Sequence, residues 1–197
     1  MVRITQRTQR RRLRRDRKGI AAVEFALIAP ALIVLFMGVI ELTFRFHASQ
    51  EATRYVHQAA DLIAREHGMT TNDLDAIYDA SVHMMKPLDT TSNLDMDVLA
   101  VALEDDGDGG IDKRVLWRRT AGAGVPFDLN DVDGLGQVDE SVVRVGIRYK
   151  YTSPISSMFG GPDVHFVRES FSRPRALRYI KMDGQEDHNG ATATFGN

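Results

Sequence analysis

The chain has 197 residues, of which 43% are hydrophobic and 26% are charged, and this size suits one anchored domain better than two domains. The absence of cysteine excludes a disulfide framework and a thiolate metal site. The formal net charge of −2 conceals an asymmetry, because residues 1–19 contain nine Lys/Arg and one Asp. This leader therefore carries +8 and the rest of the chain −10, a pattern that indicates either a nucleic-acid or a membrane partner.

A long apolar segment follows the leader. It extends over 21 residues, from Ile20 to Ile40, and Glu24 is its single charged residue. As a helix it would be about 31 Å long, close to the hydrocarbon thickness of a bilayer. This length and the lack of a polar face argue against a buried core helix, so we expect a transmembrane helix that Pro30 kinks or loosens. The leader has no interleaved aromatic residues, which argues against nucleic acid as the partner.

The charges that flank this helix predict its orientation. Positive charge is concentrated before the helix, whereas the charges of residues 41–54 are balanced. The N-terminus should therefore stay in the cytoplasm and the C-terminal domain should be exported. Ala29-Pro30-Ala31 fits a conventional signal-peptidase site in residue size, but more apolar sequence follows it and a proline lies inside it. A cut on the cytoplasmic side, after Gly19, fits the sequence better.

The junction of leader and helix resembles a known family. Residues 14–30 read Arg-Arg-Asp-Arg-Lys-Gly-Ile-Ala-Ala-Val-Glu-Phe-Ala-Leu-Ile-Ala-Pro, and they combine a basic leader, a glycine, an apolar helix and a glutamate five residues after the glycine. This resembles the prepilin class and, within it, the TadE-like minor pseudopilins of the tight-adherence (Tad, Flp-type) pilus system. The similarity continues to Gly38 and Glu41 and is only general over the rest of the chain.

The resemblance implies a role in pilus assembly, neither as an enzyme nor as the bulk fibre subunit. It implies cleavage by a prepilin peptidase between Gly19 and Ile20, and an assembly role for Glu24 and Phe25. The implied location is the bacterial inner membrane, with a single span, a cytoplasmic N-terminus and a periplasmic or otherwise extracytoplasmic C-terminal domain. The implied partners are the inner membrane, the prepilin peptidase, other Tad pseudopilins and the pilus assembly machinery, with no cofactor and no nucleic acid.

The pattern after the span predicts an α+β fold, in which the long N-terminal membrane helix continues into a domain with an antiparallel sheet, and the resemblance implies that this domain is pilin-like. Apolar residues recur at helical spacing until Gly68 ends the helix; they are Phe44, Ala48, Ala52, Tyr55, Ala59, Leu62 and Ile63. A second helix is expected over residues 72–85, with Thr71 as its N-cap and Lys86-Pro87 near its end.

Four strands are expected over residues 94–103, 113–120, 142–151 and 164–172. The first is apolar on both faces and should be central, and the imperfect alternation of the fourth indicates a bulge. The third alternates cleanly, with Val143, Val145, Ile147, Tyr149 and Tyr151 directed inward and Arg144, Arg148 and Lys150 outward. The chain is thus divided into a basic cytoplasmic leader (1–19), a transmembrane helix (20–42), an exported α+β domain (43–183) and a flexible tail (184–197).

Two acidic loops resemble calcium loops in composition. Asp106, Asp108 and Asp112 lie among glycines, but Trp117 stands where the last glutamate of an EF-hand would be. The second loop contains Asp131, Asp133, Gly134 and Glu140, but its register needs an acid at Leu129, and the acid lies one position earlier, at Asp128. Since Asp and Gly are favoured in turns anyway, a solvated turn between strands is the preferred interpretation, and Asp106, Asp108 and Asp112 remain weak calcium candidates.

The other chemistry-bearing residues indicate no catalytic site. None of the six histidines forms a His-x-x-x-His pair, so surface positions are expected for His47, His57, His67, His83, His165 and His188. Trp117, the single tryptophan, is expected in the core. The leading hypothesis is therefore a minor pseudopilin that co-assembles through its apolar helix. The alternative is an unprocessed single-pass anchor whose periplasmic domain binds an envelope partner or ligand, and an anchored hydrolase or metal enzyme has almost no support.

Overall fold

The computed structural model describes residues 18–158, 160–175, 178–184 and 192–194. Most of the expected basic leader (1–19) and most of the expected flexible tail (184–197) therefore lie outside the described residues, as does His188. The chain divides into two compact units, Met1–Thr43 and Phe44–Asn197.

Three helices and seven strands make up the described part of the chain. In chain order they are α1 (Lys18–Arg65), β1 (Gly68–Met69), α2 (Thr71–Met84), β2 (Leu94–Asp105), β3 (Ile111–Ala121), β4 (Glu140–Tyr151), α3 (Pro154–Met158), β5 (Val164–Ser172), β6 (Lys181–Met182) and β7 (Thr192–Thr194), with a 3₁₀ turn at Leu129–Val132 between β3 and β4. The expected α+β fold with a long N-terminal apolar helix is confirmed.

The main sheet has the strand order β5-β4-β2-β3-β7. Each of the first four strands is antiparallel to its neighbour, and the short strand β7 joins β3 in parallel. Strand β2 lies in the middle, as its apolar residues on both faces predict, because both of its faces must be covered. The four predicted strands are all present within a few residues of their expected bounds.

The second part of α1 packs on the inner face of this sheet. Small side chains alternate with larger ones along this helix face, which allows close approach to the strands; the buried residues are Ala48, Ala52, Tyr55, Val56, Ala59, Ala60, Ile63 and Ala64. The inward-facing residues predicted in β4 are all buried against it. Phe44 and Leu62 lie in the predicted helix but at the edges of its apolar face, and they are 46% and 47% exposed.

Two local predictions are wrong: the N-cap of α2 lies one residue earlier than expected, and the bulge lies in a different strand. Helix α2 is capped by Thr70 and not by Thr71: the Thr70 hydroxyl accepts a bond from the Asp73 backbone N–H, and the Asp73 carboxylate accepts from the Thr70 backbone N–H. The register of β5 on β4 is unbroken, so the bulge expected in β5 is absent. The irregularity lies instead between β2 and β3, opposite Ala100 and Val101.

This bulge has a packing reason. Ala100 pairs with Trp117 and Val101 with Val115, so Leu116 is the extra residue of β3. Leu116 and Trp117 are adjacent, and in a regular strand they would face opposite sides; with the bulge both enter the same core cluster. The expected core position of Trp117 is confirmed, since only 1% of it is exposed.

The C-terminal part of the described chain closes the domain. Strand β6 pairs in parallel with β1, which directly follows α1. The indole N–H of Trp117 donates to the Ile180 carbonyl oxygen at 2.8 Å, and the Asp183 carboxylate accepts from the Thr71 backbone N–H and hydroxyl at 3.0 and 2.7 Å. Ile180 and Met182 belong to the core cluster, so the core is complete only with these late residues.

Candidate functional site

The first candidate site is the surface of the part of α1 that precedes Thr43. Within the described residues, α1 is the one helix that is long and apolar enough to cross a membrane, and none of its most apolar 18-residue window is buried. Its large apolar side chains are exposed; they are Ile20, Val23, Phe25, Leu27, Ile28, Leu32, Ile33, Val34, Leu35, Phe36, Val39 and Leu42. A contiguous apolar surface of this length is unfavourable in water and indicates a membrane anchor.

Glu24 is the single charged residue between Gly19 and Ile40, and it lies in the second turn of the described helix. Ile20 precedes it by four residues, so the two lie on one helix face with a rise of about 6 Å between them. Phe25 is the next residue and is 66% exposed on the neighbouring face. The arrangement provides a carboxylate and an aromatic ring on a lipid-accessible surface, close to the start of the apolar segment.

Gly19 stands at the boundary between leader and helix. A Cβ atom added at this glycine would meet no atom within 4 Å, and the same is true of Gly38 near the other end of the apolar segment. The packing of the described chain therefore does not explain why glycine occupies position 19. A requirement outside the fold, such as access for a peptidase, would explain it.

The acidic loop between β2 and β3 satisfies its own backbone. The Oδ1 atom of Asp106 accepts hydrogen bonds from the backbone N–H groups of Asp108 and Gly110, both at 2.8 Å, and Asp105 accepts from the Gly107 N–H at 2.9 Å. The N–H donors of Asp108 and Gly110 lower the pKa of Asp106. Among the described residues, no group of three or more His, Asp or Glu side chains is placed to hold a metal ion. This finding applies to Asp106, Asp108 and Asp112 as well.

The described histidines are exposed, as their spacing predicts: His47, His57, His67, His83 and His165. His57 also bonds across to the sheet, with its Nδ1 atom 2.9 Å from the Ser170 hydroxyl oxygen. These positions fit solvated surface residues.

A buried ion network on the outer face of the sheet was not anticipated from the sequence. Asp97 on β2 and Arg144 on β4 are both fully buried, and the Arg144 Nη1 atom lies 2.7 Å from Asp97 Oδ2. Arg118 on β3 donates to both carboxylate oxygens of Asp97 at 2.9 Å. Arg144 Nη2 also lies 2.9 Å from Glu169 Oε1 on β5. Two carboxylates and two guanidinium groups thus connect four adjacent strands with no net charge.

The prediction that Arg144 faces outward is confirmed, but its side chain is fully buried on that face. The segment after β3 covers this face: Arg144 donates to the Pro126 carbonyl oxygen at 2.8 Å and stacks on the Phe127 ring, with its Cζ atom 5.2 Å from the ring centroid. Arg118 donates to the Val125 carbonyl oxygen at 3.3 Å. The network therefore fixes an otherwise irregular segment, 125–127, on the sheet.

Gly146 makes room for this network. It pairs with Asp97 on one side and with Glu169 on the other. A Cβ atom at position 146 would lie 2.6 Å from the Cζ atom of Arg144, so the guanidinium group lies directly over the glycine. A glycine two residues after an arginine in a strand is the one sequence signal that could have revealed this arrangement.

The domain has a groove at the end where α1 enters it. Phe44 and His47 of α1, Tyr149 and Tyr151 of β4, and Pro154 of α3 line a cavity of about 420 Å³. Burial, and then the nearby charge of Asp89, raise the pKa of Tyr149 to about 12, so its hydroxyl remains protonated at physiological pH. The groove shows that the β4–β5 connection lies beside the first residues of the domain.

The fold and the exposed apolar segment define a protein with a membrane anchor and a separate α+β domain. The family model described as TadE-like protein matches residues 19–61, which are the apolar segment and most of the following part of α1. The resemblance noted at residues 14–30 is confirmed over the part that this match covers, and together with the apolar helix it indicates a membrane protein associated with the Tad pilus. No curated protein and no solved structure matches the chain.

Proposed function

We propose that the protein is a minor pseudopilin of the Tad pilus, anchored in the bacterial inner membrane and cleaved by a prepilin peptidase after Gly19. The observation that carries the proposal is the coincidence of three features in one helix. The TadE-like match begins at Gly19, the apolar surface that follows is unpacked, and Glu24 interrupts that surface one turn after Ile20. An unpacked apolar helix with one carboxylate is suited to lateral assembly with other helices in a membrane.

The proposed organisation follows from the charge distribution. Residues 1–19 are the cytoplasmic leader, 20–42 the span, 43–183 the exported domain and 184–197 the tail. The +8 leader keeps the N-terminus in the cytoplasm, and the domain lies in the periplasm. Other Tad pseudopilins and the pilus assembly machinery contact the apolar helix, and no nucleic acid or cofactor takes part.

A topology experiment tests the orientation. Alkaline phosphatase fused to the C-terminus should be active in a Gram-negative host, because the positive charges before the span retain the N-terminus inside. The matched fusion carries a reporter that is active only in the cytoplasm, at the same position, and it should be silent. Activity of that second reporter together with an inactive phosphatase would show that the orientation is the opposite of the proposed one.

Mass spectrometry of the protein from a strain with an active prepilin peptidase tests the processing. The mature chain should begin at Ile20, and Gly19→Val should accumulate as the uncut precursor, because a branched side chain blocks access at the cleavage site. Neither Gly19 nor Gly38 has an atom near its missing Cβ, so Gly38→Val is a matched control within the same helix and should be cut normally.

The same measurement separates the proposal from its alternative. An unprocessed single-pass anchor, whose periplasmic domain binds an envelope partner or a ligand, would keep its leader in the presence of the peptidase. An intact leader on the native protein would therefore count against the pseudopilin and in favour of the anchor.

A further inference from the structure

The loop between β4 and β5, residues 152–163, lies at the tethered end of the domain. Strand β5 follows the direction of α1, because Arg168 contacts Ser49 at 2.6 Å and Arg175 contacts Asp61 at 2.9 Å. The start of β5, at Val164, is therefore beside the first residues of the domain, as the groove lined by Phe44 and Pro154 also shows. Because Phe44 follows Thr43 in the chain, this end of the domain is the one joined to the apolar segment.

Hydrogen bonds and an ion pair give this loop a defined conformation. The Ser153 hydroxyl accepts from the backbone N–H groups of Ile155 and Ser156, at 3.2 and 3.0 Å, and so caps the short helix α3. Thr152 donates to Asp163 at 2.8 Å, and the Lys150 ammonium group lies 3.0 Å from the same carboxylate, which fixes the two ends of the loop together. The loop thus holds α3 in a defined position beyond the strand ends.

The surface of this end combines charged side chains, such as Lys150 and Asp163, with an uncharged loop and exposed apolar side chains. Residues 152–162 contain no charged side chain, in a chain of which 26% of residues are charged. Met158, the last residue of α3, is 78% exposed, the highest value among the exposed large apolar residues of the described chain. Phe44 and Phe46, at the start of the domain, are 46% and 62% exposed. These side chains are unfavourable in water, and large apolar residues such as Phe form the buried face of elements that lie in the membrane interface.

We propose that this end of the domain is a second membrane contact: Met158 of α3, with Phe44 and Phe46, lies in the boundary between the lipid headgroups and the acyl chains. The inference rests on the membrane anchor of the proposed function. The bilayer is the occupant because the adjoining apolar segment already holds this end of the domain at the membrane surface, so the second contact forms at a high effective concentration. Short apolar elements at such a surface penetrate about 5–10 Å into the interface.

Fluorescence quenching in vesicles tests the proposal with the full-length chain. The chain contains no cysteine, so a single introduced cysteine carries a fluorophore at one defined site. Met158→Cys reports on the loop, and its exposure leaves the fold intact, which Trp117 fluorescence verifies. Asp108→Cys is the matched control, because Asp108 lies at the opposite end of the sheet from Met158. The end of β2 next to Asp108 pairs with Glu140 of β4 and not with Tyr149, which is close to the loop. Phe36→Cys reports on the apolar segment itself.

In phosphatidylcholine vesicles, a nitroxide attached high on the acyl chain should quench the label at Met158→Cys more strongly than a nitroxide near the chain end. Neither lipid should quench the label at Asp108→Cys. Aqueous iodide, in contrast, should quench the label at Asp108→Cys more strongly than the label at Met158→Cys. Iodide quenching of the Met158→Cys label, with lipid quenching at Phe36→Cys retained, would overturn the second contact and leave the anchor. Loss of lipid quenching at Phe36→Cys would overturn the anchor as well. Shielding of Met158→Cys that disappears when the protein is diluted in lipid would assign the surface to a second copy of the chain.

Discussion

Replacing Glu24 by alanine should leave the protein inserted and cleaved but abolish its support of pilus assembly. A carboxylate within a membrane helix costs on the order of 2–3 kcal/mol at the bilayer centre and less near an end, so Glu24→Ala inserts at least as readily as the natural chain. A carboxylate held inside the hydrocarbon region therefore requires a compensating partner. Cleavage after Gly19 would create one, the α-amino group of Ile20, which shares a helix face with Glu24.

The partner amine can belong to the same chain or to a neighbouring subunit. An intrachain pair would neutralise Glu24 but would have no role in assembly. A pair between subunits would instead set the axial register of adjacent apolar helices. A third arrangement, with Glu24 solvated at headgroup level, needs no amine at all. We favour the pair between subunits, because a buried carboxylate that loses its partner is strongly unfavourable and would therefore reject a wrong register.

Piliation and surface adherence, measured at equal protein levels, separate these arrangements. Glu24→Asp should be partly active, because it retains the charge with a shorter reach. Val23→Ala, in the same turn, changes the apolar surface without touching the carboxylate and should assemble normally. Normal piliation of the Glu24→Ala strain would show that the carboxylate is dispensable and would leave the solvated arrangement or the intrachain pair.

Asp97→Ala should destabilise the domain by about 3–5 kcal/mol, because it leaves the fully buried guanidinium group of Arg144 without its main partner. This is a large share of the roughly 5–15 kcal/mol by which typical domains are stable. Trp117 is the single tryptophan and is buried in the same domain, so its fluorescence follows urea unfolding of the unit Phe44–Asn197 without an added label.

Strand β2 provides a matched control for this variant. Glu104 also pairs with an arginine of β3, and the Arg114 Nη2 atom lies 2.6 Å from Glu104 Oε1, but both side chains are more than a third exposed. Glu104→Ala should therefore cost only about 0–1 kcal/mol. Equal losses of stability in Asp97→Ala and Glu104→Ala would show that burial does not strengthen the Asp97 network.

Much of the fold could be predicted because its signals are periodic. The length of the apolar segment indicates the membrane helix, and the strict alternation of Val143, Val145 and Ile147 identifies the buried face of β4. The central position of β2 follows from its apolar residues on both faces. These patterns depend on which face an element buries, and that information is local in the sequence.

The features that the sequence does not reveal depend on contacts between distant segments. Alternation places Arg144 on the outer face of β4, but it cannot show that Phe127 and the Pro126 carbonyl group cover that face. The bulge beside Ala100 depends on the need of two adjacent residues, Leu116 and Trp117, to enter one core. The assembly roles of Glu24 and Phe25 stay predictions, because they concern partners outside this chain.

In the proposed export of the domain, its closing segment sets an order of events. Ile180 and Met182 lie in the core, and Trp117 donates its indole N–H to the carbonyl oxygen of Ile180. A chain that is anchored by its N-terminal helix crosses the membrane from that end onward, so these residues emerge after strands β2 to β5. Until they do, the sheet and α2 lack part of their core and Trp117 lacks its acceptor. The domain should therefore complete its fold only when Met182 has been translocated, and a translocation arrest placed before Ile180 should leave it open to proteases.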